Sequence, residues 1–169
     1  MMENLRYGSP LSPSTTAQSD NCVAEKYCLS TDPNCSAYGG FYQWDELIQY
    51  GVTASPEYQG VCPPGWHIPS AADFQALIDE NQGNAMAGAI LKDLNLSPRG
   101  FEALLDGMYY LNTSWAFTSS AVPAGTLFWS STPGPGNKIV TRGMNSIVPS
   151  VSLYGTSKVN AFPIRCVKD

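Results

Sequence analysis

The chain has one histidine, His67, set in the stretch GVCPPGWHIPSAADFQALID at 60–79. A histidine in that setting could serve as a general base or a metal ligand. A base needs a nucleophile or a substrate proton within hydrogen-bond reach, and no Ser or Cys partner motif accompanies His67. Structural zinc draws four ligands from Cys and His. The five cysteines, Cys22, Cys28, Cys35, Cys62 and Cys166, contain no C-x-x-C pair to supply them. A disulfide framework is therefore expected, with no catalytic residue, metal or cofactor. A bridge between Cys62 and Cys166 would tie the start of a helix to the last strand-like segment, and closing a loop of about 100 residues is worth on the order of 4 kcal/mol. Cys28 and Cys35 flank the turn-forming LSTDPN and could close a local loop. Cys22 either stays a free thiol or competes with Cys28 for Cys35.

The elements that would carry these residues read as helices early and strands late. Ser70 and Asp73 form a capping box, and Phe74, Leu77 and Ile78 then share one helix face. FYQWDELIQYG reads as a short helix stopped at Gly51, and NAMAGAILKDLN as a third helix interrupted by Gly88. After these come MYYLN, LFWSS, KIVTR, SIVPSVSLY and FPIRCV, short β-rich pieces separated by Gly, Pro, Ser and Asn. Pro149 and Pro163 mark edge strands or bulges. Residues 8–21 are polar enough to read as a mobile loop.

Length and composition limit the function classes. The chain has 169 residues, 43 % hydrophobic, enough for one core, and no repeat or linker divides it. No apolar run reaches the roughly 18 residues a membrane span needs. MMENLRYGSPLSPSTTAQSD lacks the features of a signal peptide, so the chain reads as soluble, with any export signal outside it. The net charge of −5 conceals an asymmetry. Residues 1–106 carry thirteen acids against four cations, whereas 107–168 carry five cations and no acid. Five scattered cations are too few for a nucleic-acid footprint. An acid-free C-terminal portion suits a contact face.

The motifs MENLRYG, KYC, DPNCSAYGGFYQWDE, GVCPPGWHIPSAADFQAL, GFEALLDG, LFWSST and FPIRCVKD run in order over nearly the whole chain. In them the chain resembles the Fibrobacter succinogenes major paralogous domain family. That resemblance implies an α+β, C-type lectin-like domain over 1–169, with two main helices packed on a twisted antiparallel sheet and long irregular loops. It also implies that GWHIPS is a structural corner with Trp66 in the core, and an extracellular, cell-surface or virion-surface location. The family is more distantly similar to the formylglycine-generating enzymes. Those use a pair of cysteines in the C-terminal portion, where this chain has only Cys166, so an enzyme of that kind is the least favoured reading. Calcium-dependent sugar binding needs EPN or QPD and a later WND, because calcium takes six to eight oxygens. None of these triplets occurs, and Asp20, Asp32, Asp45 and Asp106 read as solvated loop residues.

Residues 133–160, between FWSST and FPIRCVKD, resemble the variable region of C-type lectin-like proteins diversified by retroelements, in which a fixed frame encloses variable positions. The implied function is a non-enzymatic binding module for a protein or glycan ligand. Its expected contact residues are Lys138, Arg142, Asn145, Ser152, Tyr154 and Lys158, with Trp129 in the core. Strand alternation sets Val151, Leu153 and Gly155 toward the core and Ser152 and Tyr154 outward, so Tyr154, Arg142, Lys138 and Lys158 are expected exposed on one side. The alternative is a structural subunit of a surface assembly such as a pilus.

Overall fold

The structure is a computed structural model, and it describes residues 2–12, 16–51, 58–92, 100–105, 107–111, 115–118 and 124–169. Its architecture is α+β: short helices and several small, mostly antiparallel sheets. Helix α1 (Trp44–Leu47) is a single turn, α2 spans Ala71–Glu80 and α3 spans Ala87–Lys92. The capping box forms as the spacing predicts. Ser70 Oγ accepts from the Asp73 N–H at 3.2 Å, and the Asp73 carboxylate accepts from the Ser70 N–H at 2.7 Å.

Phe74 and Ile78 then face inward from α2. Gly88 does not interrupt α3 but lies inside it. A Cβ there would sit 2.4 Å from the Ser150 carbonyl oxygen, so glycine is what lets α3 lie against the 149–150 backbone, where the Ala89 N–H donates to the Pro149 carbonyl.

Strands β1 (Ser9–Leu11) and β2 (Glu25–Tyr27) pair in parallel. A four-stranded sheet has the order β3 (Tyr42–Gln43), β10 (Ala161–Phe162), β5 (Met108–Leu111), β6 (Trp115–Thr118). Strands β4 (Trp66–His67) and β11 (Val167–Lys168) form a two-stranded ladder. The longest strands, β7 (Gly125–Pro133) and β8 (Lys138–Asn145), pair with β9 (Ser152–Ser157) in a three-stranded antiparallel sheet whose order leaves β9 at an edge.

Strands β7 and β8 are covered on both faces. Leu127, Trp129 and Ile139 enter one cluster with Tyr42, Trp44, Leu47, Ile68, Phe162 and Ile164. Phe128 and Met144, on the opposite face, enter another with Phe74, Ile78, Ala87, Leu91 and Val151. Trp129 is fully buried and its indole N–H donates to the Tyr42 carbonyl at 2.7 Å. The Cys62–Cys166 disulfide lies in the first cluster, and Cys28–Cys35 closes the local loop, leaving Cys22 as an exposed thiol.

Three expectations are corrected. Of the stretch 8–21, residues 13–15 lie outside the described residues and the rest is anchored: β1 pairs with β2, and Gln18 is buried, bonded to Tyr27, Glu25, Phe41 and Gln43. Pro149 lies before β9 rather than within it. Trp66 is half-buried against the rim of the first cluster rather than in its centre.

Candidate functional site

His67 is buried with a carboxylate at each ring nitrogen. Its Nδ1 is 2.7 Å from Asp169 Oδ1 and its Nε2 is 3.5 Å from Asp73 Oδ2. The Ser70 hydroxyl donates to Asp73, at 2.6 Å, rather than to the imidazole, so these groups form no nucleophile–base pair. Burial alone would raise the Asp73 carboxyl. The hydrogen bonds from Ser70 and the adjacent imidazole outweigh it and hold that carboxyl below its ordinary value. The arrangement ties β4 and the end of β11 to the start of α2.

Among the described residues no three His, Cys, Asp or Glu side chains are grouped to hold a metal ion. Asp32 is buried rather than solvated. Its carboxylate accepts from the Ser36 hydroxyl and from the N–H groups of Ser36, Ala37 and Tyr38. Burial raises it, but these bonds prevail and bring it to about 2. Asp106 lies outside the described residues.

The six expected contact residues separate by register. Thr141 pairs with Tyr154 and Gly143 with Ser152, on the Trp129 face of the sheet. Arg142 pairs with both Phe128 and Leu153, on the face toward α2 and α3. Tyr154 and Ser152 therefore lie on one face and Arg142 and Lys138 on the other, which overturns the expectation of a single side. Arg142 is also only 5 % exposed, not a surface residue. Its guanidinium donates to Gln75 Oε1 of α2 at 3.1 Å, its Nε has no partner among the described residues, and burial lowers its pKa from the ordinary value.

Asn145 shapes a turn, its Oδ1 accepting from the Ile147 and Val148 N–H groups at 2.9 and 3.0 Å. Lys158 sits 4.3 Å over the Trp44 ring and 3.7 Å from Asp45 Oδ1. Lys138 is exposed at the start of β8.

What remains open is β9 and its neighbours. Tyr154 is 46 % and Leu153 61 % exposed, on opposite faces, and Ile147 and Val159 flank the strand, also exposed. A Cβ on Gly143 would sit 2.6 Å from both Tyr154 Cε2 and Leu127 Cδ2, so this glycine lets the Tyr154 ring rest on the β8 backbone. Beside it opens a cleft of about 280 Å³, lined among others by Tyr110, Leu127, Gly143, Asn145 and Tyr154. Burial first, and then the neighbouring Tyr154, raise the Tyr110 phenol. Sequence reasoning missed Tyr110, because nothing in MYYLN says that β5 will line a cleft together with β8 and β9.

A larger groove of about 1010 Å³ runs between α2, the N-terminal segment and Phe101. It is largely apolar, and the side chains of Asn4, Arg6 and Asn81 at its wall are bonded within the chain. Leu91 and Gly100 at its border flank residues 93–99, which lie outside the described residues.

The family model of the Fibrobacter succinogenes major domain matches residues 1–168, and the chain belongs to that family. Compared with curated proteins and with solved structures, it has no match.

Proposed function

We propose that this member of the Fibrobacter succinogenes major domain family is a non-enzymatic binding module of C-type lectin-like fold. It holds a protein or glycan ligand on the surface formed by β9 and the end of β8, inside the segment 133–160 read as variable. The observation that carries this reading is the contrast along one sheet. Strands β7 and β8 are locked between two clusters, while β9 presents Tyr154 beside the Tyr110 cleft and Leu153 on the opposite face. Rigid strands that carry an exposed aromatic edge suit display and recognition.

Two disulfides fit an oxidising, extracellular or surface location. Among the described residues no helix is long and apolar enough to cross a membrane. Arrays of glycans and of peptides probed with the intact chain and with Tyr154→Ala test the reading. The expected result is a bound class that Tyr154→Ala weakens at least about tenfold with the melting temperature unchanged, as at a binding hot spot. Equal binding by Tyr154→Ala and by variants across β9 would overturn it.

A further inference from the structure

Strand β9 pairs with β8 over six consecutive residues without a bulge, and among the described residues no strand lies on its other side. Natural edge strands are blunted by charge, proline, bulges or covering elements, since their free N–H and C=O groups invite another strand. Ser-Leu-Tyr-Gly-Thr-Ser has no charge and no proline. Exposed apolar side chains stand on both faces of this edge, Leu153 on the helix side and Tyr154 on the other. A ligand lying flat on one face, such as a sugar ring stacked on Tyr154, leaves Leu153 in water. An added strand touches both, because its side chains alternate between the faces and meet β9 in cross-strand pairs.

We infer that β9 receives an extended segment of another protein, apolar at its centre and acidic at one end, as an added strand. The inference rests on the reading of β9 as the ligand surface and names its partner. The acidic end follows from charge. Lys138 is exposed opposite Ser157 at the C-terminal end of β9, and residues 107–168 contain no carboxylate side chain to answer it, whereas Lys158, which follows, already has Asp45 Oδ1 at 3.7 Å. A second copy of this chain would bring the same acid-free strand, so its edge offers Lys138 no counter-charge. Backbone pairing would supply affinity, and the alternating side chains over Leu153 and Tyr154 would supply selectivity.

The test is selection from a displayed library of random peptides, roughly twelve residues long to span an edge of this kind. The intact oxidised chain is the target, with counter-selection on Leu153→Lys. That variant places a gatekeeper charge on an exposed side chain and leaves the core untouched. The expected peptides alternate apolar residues and carry Asp or Glu at one end. They slow hydrogen exchange at alternate β9 amides, bind at least about tenfold more weakly to Leu153→Lys, and lose binding when alternate peptide nitrogens are methylated, as strand addition requires.

Three outcomes overturn the inference. Enrichment of no peptide that depends on Leu153 is one. A ligand that Tyr154→Ala abolishes and Leu153→Lys spares is another, since it points to a glycan or other ligand on one face and leaves the binding-module reading standing. Sedimentation showing a dimer that Leu153→Lys dissociates is the third, and makes a second copy the occupant. If neither Tyr154→Ala nor Leu153→Lys changes binding of an array-identified ligand, the broader reading fails as well.

Discussion

Arg142 and Leu153 are directly paired across β8 and β9, and their burial runs opposite to their chemistry: the cation is 5 % exposed and the leucine 61 %. Five of the eight β8 residues are buried, and none of the six in β9. The strands share a sheet, a register and an absence of acids, so neither composition nor local conformation explains the difference. Position does. On the helix side α2 reaches across β8, where Gln75 meets Arg142, and β9 lies beyond it. Burial in this sheet follows how many layers cover a strand, so β8 serves the frame and β9 is left for contact.

Removing the disulfide that braces the frame should have the largest effect. The Cys62→Ala, Cys166→Ala pair should lose on the order of 4–5 kcal/mol in chemical denaturation, and the Cys28→Ala, Cys35→Ala pair about 2–3, because the first closes a far longer loop. Equal losses would show that the long bridge does not brace the frame in this way. Trp129→Ala should cost about 3–5 kcal/mol, while Leu153→Ser, two strands away, should stay within about 0.5. A stability scan with β9 as sensitive as β7 would dissolve the contrast.

Arg142 sharpens the comparison further. With one neutral partner and an unpaired Nε among the described residues, it adds little stability through charge, so Arg142→Met should change stability by less than about 1 kcal/mol or raise it. A loss above about 3 kcal/mol would mean that the guanidinium holds β8 in place through its charge.

The smallest effects concern pH, and they belong to the frame, since β9 contains no titratable carboxyl. Asp32 is depressed to about 2, so its contribution is present above the unfolded value of about 3.9 and is lost as pH falls through the folded one. Asp32→Asn should flatten the acid limb between roughly pH 4 and 2. Glu46 shifts the other way. Burial outweighs the hydrogen bonds from the Glu25 N–H and the Tyr50 hydroxyl, and the charges of Glu25 and Asp20 add to it. A raised value favours the fold below the unfolded value of about 4.3, and that stability is lost as pH rises through the folded value. Glu46→Gln should therefore gain stability at neutral pH relative to the parent, with little change near pH 4, in urea titrations at both. Substitutions at Leu153 or Tyr154 should leave both pH profiles unchanged.

Much of the frame was legible because its signals are local or chemically specific. Ser70 and Asp73 meet within one helical turn, so the capping box needs nothing distant to form. The cysteine arithmetic pointed to Cys62–Cys166 because metal spacing was absent and the two flank the core elements. Trp129, in a β-rich apolar run, had few places to go but inward. The anchoring of Gln18 was not legible, since it reaches partners up to 25 residues away that polarity alone cannot name.

The sequence by itself determined which residues share a side: alternation sets Leu153 with Val151 and Tyr154 with Ser152, and the paired register agrees. Only the tertiary structure decided what covers each side. Val151 meets the cluster beneath α2 and α3, while Leu153 two residues on does not, and Arg142 is enclosed where a surface cation was expected. Periodicity is a property of the backbone, repeated every second residue. Cover is supplied by elements more than fifty residues away, packed to the limits of their own length, and a strand's pattern carries no record of where they stop.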